Sequence, residues 1–442
     1  MRRIYPDHAY GPASRARCYW PKTVSNMAQD PPLSGAQSAD VAVIGAGFTG
    51  LSAALALAQD GAPVTVLEAE DIGFGASGRN GGFCCLGGAA VSHKSLTKRY
   101  GAQGARAWYR TEIAAIEQVK TTLQAHNIDA DTHSNGETVM AHSPRAMAQI
   151  RQYCTEIETH YDLAPQIIEG EDLAAQGMKG AFFGAMTVPS GFGLNPMKYL
   201  AGLARAARSA GAQIHTHTPA LRIEALAEGY LLHTPEGTLR CKRLIIATNG
   251  YSSEDVPPWM AGRFLPAQSN VLVTRQMTPE EIARGWSSDQ MAYDHRFFLH
   301  YFRLLPEGRM LFGMRGGLRS SARADRQTLA TARKHFEAMF PDWADIETPF
   351  AWNGLLCLTS ELEPYCGPIP EMAGAFTGFG YHGNGVAMGS YAGAILADLV
   401  QGRAPRRHYP AIMQTAPRRL GLGRMRRLAL VPPYLLGALT GG

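Results

Sequence analysis

The chain has 442 residues, of which 45% are hydrophobic and 18% are charged, and its net charge is +5. This globular composition allows two or three domain-sized units. The positive charge is too small and scattered to indicate nucleic-acid binding. The seven cysteines form no C-x-x-C pair, and no apolar run begins the chain. We therefore expect reduced thiols, a cytoplasmic location and no metal site.

A dinucleotide-binding fingerprint is the first strong pattern along the chain. Val41–Ile44 is predicted to form a buried strand, and Leu51–Gln59 to form an Ala/Leu-rich helix. Between them lie the fingerprint residues Gly45, Gly47, Phe48, Thr49 and Gly50. Glycines at G-x-G-x-x-G spacing permit a tight turn and let a pyrophosphate approach the helix N-terminus. The alternative is a tight turn without a ligand.

The next element supports the ligand-binding interpretation. Val64–Leu67 is predicted to form a second apolar strand, and Glu68 and Ala69 follow its end. A carboxylate at this position accepts hydrogen bonds from the ribose of a bound adenosine. The pattern therefore predicts a dinucleotide site rather than an empty turn.

A glycine-rich loop then distinguishes between dinucleotides. It consists of Gly75, Ala76, Ser77, Gly78, Arg79, Asn80, Gly81 and Gly82. Such a loop approaches a large planar ligand without Cβ clashes. A nicotinamide enzyme does not need one directly after its second strand, so the loop predicts FAD. The alternative is a flexible surface loop.

Two later segments are predicted to return to the same site. Leu244–Ala247 ends a strand that leads into the turn Thr248, Asn249 and Gly250. Further on, Gly383, Asn384, Gly385 and Val386 precede an apolar helix over Ala387–Val400. The N-terminus of that helix would favour the negative charge that a flavin acquires on reduction.

The spacing of these segments predicts a discontinuous cofactor domain. The expected organisation is an N-terminal arm (1–37), a cofactor domain (38–95, 190–255 and 350–403), a substrate domain (96–189 and 256–349) and a tail (404–442). Tyr109–Asn127 is expected to be helical. Short aromatic and aliphatic runs at Leu265–Thr274, His295–Leu304 and Met310–Met314 indicate antiparallel strands.

The chain resembles the D-amino-acid-oxidase-like family of FAD-dependent oxidoreductases, in particular the branch typified by γ-glutamylputrescine oxidoreductases. The motifs that carry the resemblance are Cys18–Thr23, Val43–Ala53, Gly75–Gly82, Leu194–Tyr199, Tyr301–Arg303, Arg309–Gly313, Trp352–Gly354 and the segment around His382. The resemblance implies a Rossmann-like α/β FAD-binding domain with an inserted α+β substrate domain built on an antiparallel sheet. It also implies a small-molecule amine as substrate.

The expected chemistry is oxidation of a C–N bond by hydride transfer to flavin N5, which gives an imine and then an aldehyde. His382 is either the base for the substrate ammonium or an imidazole that holds the glycine-rich turn. Tyr301 either faces the flavin or belongs to the core. In the alternative function, oxidation of a cyclic or α-amino acid such as proline or pipecolate, Arg303 would hold the carboxylate.

Departures from related enzymes refine these expectations. No lysine follows Lys334, so the carboxylate-binding lysine of sarcosine oxidases is missing. Met310, Leu311 and Phe312 occupy a strand where those relatives place an oxygen-activating lysine. O2 is therefore expected to be a poor acceptor, and the flavin is reoxidised either by O2 or, in a dehydrogenase, by another acceptor. Those enzymes also attach FAD through a cysteine near the region of Cys357. Its spacing here does not match, which favours non-covalent FAD.

The tail combines basic and apolar residues. No acidic residue follows Asp398, and the apolar run Leu428–Leu439 is interrupted by two prolines and a glycine, so it is too short to span a bilayer. Such a tail either contacts an anionic membrane surface weakly or packs on its own domain.

Overall fold

The protein is described by a computed structural model that covers residues 1–25, 27–28 and 30–432. Its strands are β1 (Gly35–Ile44), β2 (Val64–Leu67), β3 (Phe83–Cys84), β4 (Glu137–Met140), β5 (Gln166–Glu169), β6 (Gly184–Val188), β7 (Phe192–Gly193), β8 (Gln213–His215), β9 (Arg222–Ala225), β10 (Tyr230–His233), β11 (Gly237–Ile246), β12 (Leu265–Val273), β13 (Met291–Asp294), β14 (His300–Leu304), β15 (Met310–Arg315), β16 (Phe350–Leu358), β17 (Tyr365–Pro368) and β18 (Ala375–Phe379). Its α-helices are α1 (Phe48–Gln59), α2 (His93–Ala125), α3 (Pro144–Tyr161), α4 (Pro196–Ser209), α5 (Pro279–Arg284), α6 (Ala322–Met339) and α7 (Gly385–Val400).

The first sheet carries the fingerprint. Its order is β17-β18-β11-β1-β2-β8, and β9 and β10 extend it beside β11. The central pairs β1–β11, β1–β2, β2–β8 and β11–β18 are parallel. Val41–Ile44 and Val64–Leu67 are buried, as expected for strands with apolar residues facing both ways. The predicted strand–helix–strand unit is therefore present.

The second sheet has the order β16-β12-β15-β14-β13-β4-β6-β5. Its pairs are antiparallel except β13–β4. One face packs on α6 through an aromatic core that includes Phe302, Phe312, Phe336 and Trp343. A Rossmann-like α/β layer and a second, largely antiparallel sheet thus form the predicted fold class.

Two segments differ from their expected places. The stretch 350–403 was assigned wholly to the cofactor domain, yet β16 pairs with β12 along its whole length in the second sheet. Only β17, β18 and α7 of that stretch accompany the first sheet. The helix predicted at Tyr109–Asn127 begins much earlier, at His93, and has one non-helical residue at Gly101.

The described part of the tail packs on its own domain. Arg426 is 1% exposed, its Nε donates to the Phe264 carbonyl at 3.0 Å, and its Nη1 donates to the Glu254 carboxylate. Leu430 is buried against Leu265. The remainder of the apolar run, residues 433–439, lies outside the described residues. Within the described ranges, no helix combines the length and apolarity needed to cross a bilayer.

Candidate cofactor and substrate cavity

A cavity of about 560 Å³ opens at the carboxyl ends of β1, β2 and β11 and continues to the second sheet. Most of the sequence-predicted site residues line it: Gly45, Gly47, Phe48, Thr49, Glu68, Ala69, Gly75, Ala76, Ser77, Arg79, Asn80, Gly81, Ala247, Thr248, Asn249, Tyr301, His382, Gly383, Asn384, Gly385 and Val386. Four predicted residues do not: Gly50, Gly82, Gly250 and Arg303.

The β1–α1–β2 unit has the geometry of a dinucleotide cradle. Gly45 has a φ of +105°, and a Cβ there would lie 2.8 Å from the Ala247 carbonyl oxygen. A Cβ on Gly50 would lie 1.8 Å from the Gly45 carbonyl oxygen, which explains a glycine that does not itself line the cavity. The N-cap residue Gly47 has no side chain, and the Ser77 hydroxyl of the glycine-rich loop accepts from the Phe48 amide at 3.1 Å, so the positive end of the helix dipole faces the cavity beside that loop.

Glu68 is held at the end of β2 by backbone donors. The Ala46 amide donates to its Oε2 at 2.7 Å, and the Glu70 amide donates to its Oε1 at 3.1 Å. Burial raises the pKa of Glu68 to about 7 despite these hydrogen bonds. The carboxyl group is therefore fixed on the cavity wall, where it can accept from a ribose hydroxyl.

Arg79 organises the glycine-rich loop from within the protein. Its side chain is 2% exposed and donates to the Phe74 carbonyl at 2.6 Å, the Ser14 hydroxyl at 2.7 Å and the Asn353 carbonyl at 3.2 Å. Trp352 Nε1 donates to the Arg79 carbonyl at 2.8 Å. The remaining nitrogen of Arg79, Nη2, is buried without a hydrogen-bond partner in the described chain. This orphaned donor on the cavity wall fits an oxygen of a bound cofactor.

Both ring nitrogens of His382 interact with backbone groups. Its Nδ1 lies 3.0 Å from the Gly88 carbonyl oxygen, and its Nε2 accepts from the Thr359 amide at 3.3 Å. Burial lowers the pKa of His382 to about 4, so the imidazole is neutral near pH 7. Its φ of +51° places it in the left-handed turn before α7. Of the two roles considered, this geometry favours the imidazole that holds the turn.

Tyr301 and Arg303 are neighbours on β14 but have different surroundings. Tyr301 lines the cavity, and its hydroxyl lies 3.0 Å from that of Ser269. Arg303 is 1% exposed and donates to the Gly81 carbonyl at 2.8 Å, the Leu194 carbonyl at 2.6 Å and the His133 ring. Burial lowers the pKa of Arg303 to about 9. Arg303 therefore supports the glycine-rich loop from behind, away from the cavity in which a substrate carboxylate would lie.

Sequence reasoning missed a different arginine. Arg315, the last residue of β15, lines the cavity and donates to the His382 carbonyl at 3.3 Å. A Cβ on Gly383 would lie 2.7 Å from Arg315 Nη2. Arg315 directly follows the predicted strand Met310–Met314. Its place at the end of that strand was the one sequence feature that could have identified it as a site residue.

The far part of the cavity was also missed. Its walls carry carboxyl and aromatic side chains from α2, α3, β4 and β13, namely Trp108, Tyr109, Glu112, Glu137, Tyr153, Glu156, His160, Tyr161 and Tyr293. These residues are widely spaced along the sequence and contain no glycine motif. Only the packing of the two helices against the second sheet brings them together.

Comparisons with known proteins agree with the fold. The sequence model of the family described as FAD dependent oxidoreductase matches residues 40–399. A probable oxidoreductase OrdL of Rhizobium meliloti (strain 1021) is 32% identical over 397 residues, covering 89% of this chain and 90% of that protein. The gamma-glutamylputrescine oxidoreductase of Escherichia coli (strain K12) is 28% identical over 400 residues, covering 89% and 92% respectively.

A solved structure shares the fold. The crystal structure of glycine oxidase from Geobacillus kaustophilus superposes with a TM-score of 0.70 at 22% sequence identity. It covers 87% of this chain and 100% of that one. At this identity the likeness concerns the arrangement of sheets and helices.

Proposed function

This chain belongs to the FAD-dependent oxidoreductase family, and from that premise we propose that it oxidises the C–N bond of an amine or N-substituted amine. The substrate would lose a hydride and a proton to give an imine, which water hydrolyses to an aldehyde and an amine or ammonia. The sequence similarity to a gamma-glutamylputrescine oxidoreductase supports this substrate class. The two reducing equivalents would pass to O2 or to another acceptor.

The cofactor is FAD, and the residues around the cavity fit it. We propose that the N-terminus of α1 and Glu68 hold its diphosphate and ribose, and that the glycine-rich loop and Gly383–Val386 hold its remaining part. The glycine contacts, the N-terminus of α1 on the cavity wall and the orphaned Arg79 Nη2 support this assignment. When bound, FAD supplies the two-electron acceptor. Cys357 has no expected role in its attachment.

The observation that carries the proposal is the continuity of the cavity. It extends without a break from Glu68 and Gly45 to Tyr301 on the second sheet and the turn before α7. A substrate in the part beyond the turn would be enclosed by side chains from α2, α3 and the second sheet. Enclosure excludes water and orients the α C–H bond, which are the contributions a flavoprotein must make.

A second candidate function is oxidation of an α-amino acid, and Arg315 favours it. This guanidinium lines the cavity beside the Gly383 turn, where it can form a bidentate pair with a carboxylate. Arg315 would then perform the role first considered for Arg303. A glycine oxidase among the structural relatives is consistent with this alternative.

Anaerobic mixing of the purified holoenzyme with amines and amino acids tests both functions. We expect simple amines to bleach the flavin absorbance faster than glycine, sarcosine or proline. Faster bleaching by the amino acids, and its loss in Arg315→Met, would support the second candidate. Failure of both groups to bleach the flavin would contradict C–N oxidation.

A further inference from the structure

One short loop joins the turn before α7 to a pair of buried carboxyl groups. We call Cys85–Gly88 the bridging loop. On one side, Asn384 Nδ2 donates to the Leu86 carbonyl, and His382 Nδ1 lies 3.0 Å from the Gly88 carbonyl oxygen. A Cβ on Gly87 would collide with the Asn384 side chain, so the loop backbone lies directly against the turn.

The other side of the bridging loop carries the two carboxyl groups. Glu112 on α2 lies close to the Gly87 amide, and Glu137 on β4 lies close to the Cys85 thiol. Both glutamates line the same cavity as the turn. Glu112 and Glu137 are therefore each separated from the turn by only the width of this loop.

In the described parts of the chain, no cationic side chain pairs with either carboxyl group. Glu112 is 3% exposed and interacts with Tyr161, Trp108 and the Gly87 amide, all of which are neutral donors. Within the described parts of the chain, no ion pair reaches it or Glu137. Burial raises the pKa of Glu112 to about 8 and that of Glu137 to about 7. Uncompensated carboxyl groups on a cavity wall are unusual, because burying an unpaired charge is costly.

Aromatic rings also line the part of the cavity that contains Glu112 and Glu137. Tyr109 and Tyr161 lie with ring centroids 4.6 Å apart, and the Tyr161 hydroxyl donates to Glu112. Tyr153 is buried close to Glu137 and Glu112, whose charges add to burial in raising the pKa of its hydroxyl. Electron-rich ring faces beside carboxylates attract an organic cation and repel an anion.

We propose that Glu112 and Glu137 bind a second, non-reacting ammonium group of the substrate. The substrate class is then an amine that carries another cationic nitrogen several bonds from the one oxidised. This inference rests on the proposed C–N oxidation and names the substrate class for the same cavity. The reacting nitrogen lies on the turn side of the bridging loop, and the second nitrogen lies on the glutamate side.

The position of Arg315 agrees with a cavity that is positively charged near the turn and carries carboxyl groups at its far end. Its charge acts on Tyr301, Tyr293 and His382, and it lies against the Gly383 turn. The cavity thus has a cation near the turn and carboxyl groups beyond the bridging loop. A substrate whose second charge is positive fits the far end, whereas one whose only second charge is a carboxylate does not.

Paired titrations of the oxidised holoenzyme test the proposal. Each α,ω-diamine from 1,3-diaminopropane to 1,8-diaminooctane is compared by calorimetry with the monoamine of equal carbon number. A charge-assisted contact predicts that at least one diamine binds about 10-fold or more tightly than its monoamine. Glu112→Gln and Glu137→Gln should each remove most of that preference while the monoamine affinity is retained. Glu280→Gln, on the surface of α5, is the matched control and should retain the preference.

Binding and flavin reduction are measured on the same samples, so that the two proposals can fail separately. Equal diamine and monoamine binding throughout the series would overturn the second-ammonium site, even if both reduce the flavin. A diamine preference without flavin reduction would support the site and contradict the oxidation. A preference that persists in both glutamine variants, with normal FAD content, would also overturn the site and leave the two glutamates as neutral core acids.

Discussion

At the scale of single residues, hydrogen-bond partners decide what the polar groups around the cavity can do. His382 and Arg303 were candidates because of their type and position. His382 directs both ring nitrogens at backbone groups, and Arg303 donates to two backbone carbonyls and the His133 ring. Arg315 and the two buried glutamates also line the cavity, although sequence reasoning did not identify them. Residue identity could be read from the sequence, but the direction of each side chain depended on folding.

His382→Asn tests the assignment of His382 as a structural residue. Because burial holds the pKa of His382 near 4, its imidazole does not titrate between pH 6 and pH 9. Any rise in the rate of flavin reduction over that range must therefore persist in the variant. We expect a changed flavin spectrum or weaker FAD binding, since the shorter asparagine side chain cannot serve both the Gly88 carbonyl and the Thr359 amide. Stopped-flow measurement of the rate of flavin reduction across this pH range tests the assignment. Loss of the pH dependence, with a rate about 10²–10⁴-fold lower, would instead assign a catalytic base.

The attachment of FAD is a second prediction at this scale. Cys357 lines the cavity, but it is 1% exposed and burial raises the pKa of its thiol to about 12. A protonated thiol is a poor nucleophile. Acid precipitation should release intact FAD into the supernatant from both the wild type and Cys357→Ala. Yellow wild-type precipitate, with free FAD only from the variant, would show a covalent bond.

At the scale of elements, local patterns predicted well wherever apolar runs and glycines coincide. β2 has the predicted bounds, and α1 and α7 each begin within three residues of the predicted start. The extra N-terminal half of α2 and the membership of β16 in the second sheet were not predicted. Both depend on which distant segment of the chain packs or pairs with the element. The periodicity of apolar residues within the element contains no information on that partner.

The crossing of α1 and α7 depends on a glycine. A Cβ on Gly393 would lie 2.3 Å from the Thr49 carbonyl oxygen, so the two helices must separate to admit it. Gly393→Ala should lower the free energy of unfolding by about 1–3 kcal/mol and weaken FAD binding, because α1 holds the cradle. Gly421→Ala is the control, since nothing lies within 4 Å of its Cβ position. Chemical unfolding of both proteins measures the difference, and equal stability would contradict this account.

At the scale of the whole molecule, the cavity exists because two sheets and two long helices converge. The first sheet supplies the cradle that the glycine motifs predicted. The far part of the cavity is lined by residues of α2, α3, β4 and β13, and these residues share no sequence motif. The cofactor half of the site was therefore accessible from sequence, whereas the substrate half required tertiary packing.

Arg303 connects the two halves, because it lies on the second sheet and donates to the glycine-rich loop of the first. Arg303→Lys cannot donate to all of these acceptors at once. An unsatisfied buried carbonyl costs about 1–3 kcal/mol, so the melting temperature and FAD content should fall together. Arg240→Lys, at an exposed position, is the control. A stable, fully loaded Arg303→Lys enzyme that selectively loses activity on amino acids would restore the carboxylate role.

The parallel pairing of β1 with β11 has a consequence for biosynthesis. About 200 residues separate Val41 from its partner Arg243 in this pair. At roughly 5–20 residues per second, the ribosome needs about 10–40 s to deliver the second strand after the first. The turn at Gly383–Val386 emerges later still. Nascent chains should therefore remain unable to capture FAD until translation has passed that turn, and cofactor supply would act on nearly finished chains.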